Sequence, residues 1–255
     1  MNKNAFTALR NKEFELRRYG QGCPHAVCFG GLSYAPSDYD LLAQELDGEV
    51  FVVNNPIHTG TVTRTKEWSN WLRNRYAEIC NELKCPVLIA HSLGAVDAAA
   101  MESSLEHIRG AVLLTPPNPQ RNRLPQKQRV ADFGLLDLCL AELCEEINEN
   151  TYRLMLEEHK KEYAFSEHNF KDIYKREIPK NQPEESAIEH MAGNTKNQLL
   201  VILGSRDPWR RQLQPTEKME VLELDAGHYL HISQPKLVAE KIRVWEKKHS
   251  LFENG

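Results

Sequence analysis

Apolar residues in this chain fall into two alternating arrangements: short, mostly unbroken runs, and longer stretches in which they recur every three or four positions. Runs of the first kind occupy 26–29, 50–53, 86–90, 111–114, 198–203 and 221–224. Each is the length of a strand, and the unbroken ones read as strands buried on both faces. Between them, Tyr39, Leu42, Ala43 and Leu46 keep helical spacing and stop at Asp47-Gly48. Trp68, Leu72, Ile79 and Leu83 mark a second stripe, and Val238, Ile242 and Trp245 mark a closing helix. The segment from Ala95 to Ile108 carries Ala95, Ala98, Ala99 and Ala100, small enough for a helix to lie close on a sheet. Residues 1–22 hold two further alternating stretches and the turn signal Gly20-Gln-Gly22. Strand and helix in alternation predict an α/β fold, a mostly parallel central sheet flanked by helices.

The alternation breaks after Pro116-Pro117. Residues 118–191 are charged and helix-rich, with an apolar stripe at Leu135, Leu138, Cys139, Leu143 and Ile147 but no convincing strand. So long a structured stretch is not a loop, and it reads as an inserted helical lid. The expected organisation is a core in two parts, 1–117 and 192–255, with the lid at 118–191. A chain of 255 residues accommodates one such domain with an insertion.

Charge narrows the partners. With 32 basic and 36 acidic residues the formal net charge is −4, so no global field favours nucleic acid or an anionic membrane. No apolar run approaches the roughly 18–20 residues needed to span a membrane. The first twenty residues lack the apolar core of a signal peptide. Cysteines stand at 23, 28, 80, 85, 139 and 144, without a C-x-x-C pair or zinc-ligand spacing. Reduced thiols in a cytoplasmic protein are expected.

Four segments carry chemistry, each just beyond a predicted strand. Ala90-His91-Ser92-Leu93-Gly94 joins the 86–90 run to the small-residue helix. A serine on so sharp a turn needs small neighbours, as in the G-x-S-x-G elbow, and here Ala90 replaces the first glycine. Gly204-Ser-Arg-Asp207-Pro208 offers an acid at the carboxyl edge of the sheet. Gly227-His228 follows the last strand, with His231 a rival base and Asp225 a rival acid. Asp225 is too near His228 in sequence to serve it from another loop. Ser92, Asp207 and His228 thus occur in the chain order of a nucleophile–acid–base triad. The fourth segment, Phe29-Gly30-Gly31-Leu32, lets the backbone approach a substrate. Amide N–H groups of Gly31 (or Leu32) and of Leu93 would make an oxyanion hole.

Taken in order, the glycine loop, the elbow, the Gly-x-x-Asp turn and the Gly-His pair resemble the α/β-hydrolase family along nearly the whole chain. Asn54-Asn-Pro56-Ile-His58-Thr-Gly60 is similar to the family's D-x-P-G-H-G loop, with Asn54 in place of the aspartate. Phe29 stands where members often have His. The resemblance implies a serine hydrolase acting through an acyl-enzyme without cofactor or metal. Serine at the elbow argues against dehalogenase and epoxide-hydrolase members, which use Asp there.

Substrate is less legible. Lining by Leu32, Leu135, Leu138, Arg123 and Trp209 is expected, for a small-molecule ester or an acyl thioester. Arg121, Arg123, Lys127 and Arg129 form a basic stretch, and Arg206, Arg210 and Arg211 add charge near the acid loop. Such patches could face an acidic acyl-carrier protein, and Cys28-Phe-Gly-Gly with His91-Ser-Leu-Gly-Ala95 resembles type II thioesterases. A ligand-binding protein on the same fold is the non-enzymatic alternative.

Overall fold

The apolar runs pair edge to edge into one sheet, and the periodic stretches cover its two faces. This is a computed structural model, and it describes residues 16–31, 36–53, 66–117, 187–207 and 210–252. In chain order the strands are β1 (Leu16–Tyr19), β2 (Pro24–Phe29), β3 (Glu49–Val53), β4 (Val87–His91), β5 (Gly110–Leu114), β6 (Gln198–Gly204) and β7 (Met219–Leu224). The helices are α1 (Asp40–Glu45), α2 (Lys66–Leu83), α3 (Leu93–Met101), α4 (Ala187–Asn194), α5 (Leu230–Ser233) and α6 (Pro235–Lys248), with 3₁₀ turns at Pro36–Tyr39 and Glu102–Ser104. The sheet order is β1-β3-β2-β4-β5-β6-β7. Only β1 runs antiparallel, paired to β3, so the α/β fold with a mostly parallel central sheet expected from the pattern is the one observed.

Alternation along the strands divides the core in two. Val27 and Phe29 join Leu72 and Tyr76 of α2, Ala95 and Ala98 of α3, and Ile188 and Met191 of α4 on one face. Ala26 and Cys28 join Leu42 of α1 and Val238, Ile242 and Trp245 of α6 on the other. Burying one such Leu, Ile or Val contributes about 1.5–3 kcal/mol, so the paired layers hold the strand ends rigidly where the functional loops begin.

One local reading changes. The helix after Ser92 ends at Met101 instead of continuing to Ile108. A tight turn closes by Leu105 N–H to Glu102 O, and the irregular link that follows buries Leu105 and Ile108. The Glu102 carboxylate meanwhile accepts from Thr195 Oγ1 (2.7 Å) and Asn197 Nδ2 (2.6 Å), tying this end of α3 to the approach to β6. Helix α4, whose first five residues fall in the segment read as a lid, packs against α3. The rest of that segment, 118–186, lies outside the described residues, as do the 54–60 loop, Leu32, Arg123, Leu135, Leu138 and Trp209.

One polar feature sits inside the core. Helix α5 buries His231 completely, 4.4 Å from the ring of His91 and 5.1 Å from that of Tyr39. Neither ring nitrogen of His231 has a hydrogen-bond partner among the described residues. Desolvation pushes its pKa down to about 4, with the neighbouring Asp38 opposing and His228 assisting. His91 is held well below the usual range, first by desolvation and then by His231 and His228. Both imidazoles are therefore neutral in the fold, whereas the unfolded chain protonates them below about pH 6.5. Their stabilising contribution is complete above that pH and is lost as pH falls. For His231 the loss runs down to about pH 4 and amounts to about 3 kcal/mol. Urea unfolding at pH 7.5 and pH 4.5 should therefore show a smaller acid penalty for His231→Phe than for wild type. An identical penalty in both proteins would refute this account.

Candidate active site

Strands β3 and β4 lie on opposite sides of β2, so the chain reverses its direction of travel across the sheet there. Open parallel sheets form a crevice at such a point, outside the carboxyl ends of the strands. Gly30-Gly31 follows β2, and Ser92 follows β4, one at each side of this crevice.

Ser92 adopts φ 54° and ψ −123°, a conformation that side chains rarely take. The chain passes from strand to helix within that one residue, and close packing makes this possible. A Cβ on Gly94 would lie 2.5 Å from Gly30 O, and one on Gly31 would lie 2.7 Å from Ser92 Cβ and 2.9 Å from Leu93 N. Only glycine fits at either position. Ala90, in the place of the expected first glycine, is wholly buried without disturbing the turn. Gly31 and the Leu93 amide thus sit beside one another at the serine.

The acid and base loops are laced together. Ser205 N–H donates to Leu224 O (2.8 Å), and Arg206 N–H donates to Ala226 O (3.0 Å). A Cβ on Gly204 would come within 2.3 Å of Gly227 O, so glycine permits this contact as well. The result is a continuous relay. Ser92 Oγ lies 3.0 Å from His228 Nε2, and His228 Nδ1 lies 3.0 Å from Asp207 Oδ2. All three side chains are buried. A carboxylate only accepts, so Nδ1 carries the proton and Nε2 is left to accept from the serine hydroxyl. This arrangement can withdraw a proton from Ser92 as it attacks.

The rivals are excluded by position. Asp225 is exposed and pairs with Arg206 at 3.0 Å. His231 lies with its ring tilted 49° to that of His91 at 4.4 Å, and neither of its ring nitrogens bonds to Ser92. Arg210 pairs with Glu223. Arg211 is buried, holding Glu189 through Nε (2.9 Å) and reaching Pro117 O (3.4 Å). The cluster read as added positive charge is therefore neutralised by three acids brought from elsewhere in the chain.

Two partners of the site escaped the sequence reading. The main-chain carbonyl of His228 accepts from Thr115 Oγ1 (2.8 Å) and from His91 Nε2 (3.0 Å). A threonine after a strand carries no pattern that marks it, and His91 occupies a variable position of the elbow motif.

Among the described residues, no group of three or more His, Cys, Asp or Glu could hold a metal ion. Nor is any described helix long and apolar enough to cross a membrane. Cys28, Cys80 and Cys85 are buried thiols, their pKa raised chiefly by desolvation, and Cys23 is exposed.

No curated protein matches the sequence. Solved structures do match it in fold. An esterase from Thermogutta terrifontis is 18% identical, aligned over 92% of this chain and 93% of its own, with a TM-score of 0.62. The enol-lactonase of Burkholderia xenovorans LB400 is 16% identical over 94% and 98%, with a TM-score of 0.66. The thioesterase domain of the curacin biosynthetic pathway is 16% identical over 91% and 95%, at 0.56. At these identities the likeness is one of fold. The model of the alpha/beta hydrolase family matches residues 25–241, the span that contains the crevice, the elbow and both laced loops, and the chain belongs to that family.

Proposed function

We propose that the protein is a serine hydrolase that cleaves a carboxylic ester through an acyl-enzyme, with Ser92 as nucleophile, His228 as base and Asp207 as acid. The observation that carries this reading is the unbroken hydrogen-bond relay between three loops. His228 takes the Ser92 proton as Oγ attacks the carbonyl carbon, and Asp207 stabilises the imidazolium. The developing oxyanion meets the N–H groups of Gly31 and Leu93. His228 then gives its proton to the leaving alcohol, and water attacks the acyl-enzyme by the reverse route to free the acid.

A small-molecule ester fits better than an acyl group on an acidic carrier protein. Docking such a carrier needs unpaired positive charge at the mouth; Arg206, Arg210 and Arg211 are each matched by an acid, which leaves the carrier reading to the stretch Arg121–Arg129, outside the described residues. A binding protein without catalysis would have no need of a buried nucleophile–base–acid relay.

Replacement of Ser92 by Ala should lower turnover of short p-nitrophenyl esters by about 10³-fold or more while the fold is kept. Turnover at the wild-type rate in the folded variant would overturn the assignment. A fluorophosphonate probe should label the wild type and not this variant.

A further inference from the structure

We infer that the main-chain carbonyl of His228 is the point at which the base is held in place, and that Thr115 and His91 are its positioning residues. This rests on the proposed role of His228.

A carbonyl oxygen offers two lone pairs, and here both are taken by side chains: Thr115 Oγ1–H at 2.8 Å and His91 Nε2–H at 3.0 Å. The two donors come from the ends of the adjacent strands β5 and β4. Thr115 is wholly buried, and His91 is 2% exposed. Burying a hydroxyl and an imidazole is costly unless each is bonded, so apolar residues would pack there at lower cost if packing were the only need.

Backbone strain is concentrated at the same place. Among the described residues, four other than glycine have positive φ: Lys84, Ser92, Thr115 and Ser250. Lys84 and Ser250 lie just beyond α2 and α6, where left-handed residues commonly end helices. The remaining pair are the nucleophile and Thr115. Thr115, at φ 43°, is β-branched, and such a residue rarely adopts this conformation. Its N–H is fixed to Ile202 O at 2.8 Å, so the strain is held from the β6 side while the hydroxyl reaches His228. His91 is part of the elbow itself, and its ring lies 4.8 Å from that of His228. The same residue that precedes the nucleophile therefore sets the backbone of the base. The His228 carbonyl can only accept, so His91 Nε2 carries the proton in this contact.

Around the pair, the His231 ring lies 4.4 Å from that of His91, Tyr229 lies 5.2 Å from His91 and 5.4 Å from His228, and Tyr39 Oη–H donates to Phe29 O at 2.9 Å.

The test uses paired variants of the full chain. Thr115→Ala and His91→Met remove the donors, whereas Thr115→Ser and His91→Gln keep one. Each is followed by thermal unfolding, by the rate of Ser92 labelling with a fluorophosphonate, by kcat and KM for a p-nitrophenyl ester, and by the low-field proton signal of His228 Nδ1–H, assigned with His228→Ala. Since small displacements of a catalytic group are costly, the donor-less variants should lose about tenfold in labelling rate and kcat, with KM within about twofold. Their Nδ1–H signal should shift or broaden. Ser and Gln should recover most of the loss and restore the signal. Folded Ala and Met variants with wild-type rates and signal would overturn the inference, as would Ser and Gln variants as impaired as these. If the wild type neither labels nor turns over, the hydrolase reading fails, and the proton signal alone decides whether Thr115 and His91 position the ring. If one donor-less variant does not fold, the pair at the other position decides.

Discussion

The site depends on one steric condition: helix α3 must begin within a single residue of the end of β4. With a Cβ 2.5 Å from Gly30 O excluded at position 94, and Ala90, Ala95 and Ala98 wholly buried around the junction, nothing larger fits between helix and sheet. That closeness forces Ser92 into its rare backbone conformation, which costs of order 1–3 kcal/mol. The cost is covered by the two apolar layers on either side of the sheet, which leave the turn no freedom to relax. In return the hydroxyl stands clear of the strand end, at the height of the loops that follow β2, β6 and β7. The rest of the arrangement follows from where those loops can reach.

Strain and hydrogen bonding divide the work. The elbow is set by contact distances, and it would hold whatever the other loops did. The loop carrying His228 is set by bonds instead: from Ser205 and Arg206 on one side, from Thr115 and His91 on the other. A neutral hydrogen bond contributes only about 0.5–1.5 kcal/mol to net stability, but several bonds converging on one loop limit its orientation more than its energy. A loop placed this way is more precise than its length alone would allow.

What could be read from the sequence follows from the range of the interactions concerned. Strands β2, β4, β5 and β6 are buried on both faces, so their apolar runs are unbroken and visible. Ser92 and Asp207 stood out because each comes just after such a strand, and His228 because it follows β7 in a characteristic order. The early end of α3 was not, since it depends on Thr195 and Asn197 meeting Glu102 from 93 and 95 positions away. Three arginines near Asp207 looked like free charge for the same reason, their acids being 19, 13 and 22 residues distant. Thr115 shows the limit most clearly. A left-handed threonine has no local signature, and only the assembled fold gives its hydroxyl a partner.

Arg211 also has a consequence for how such a chain can change. One buried guanidinium holds Glu189 and the carbonyl of Pro117, the residues on either side of the long excursion between β5 and α4. The two ends of that excursion are thereby clasped at a fixed separation beside the acid loop, whatever runs between them. Any change at Arg211 would therefore be felt at two places at once, at Pro117 just beyond β5 and at Glu189 in the first turn of α4.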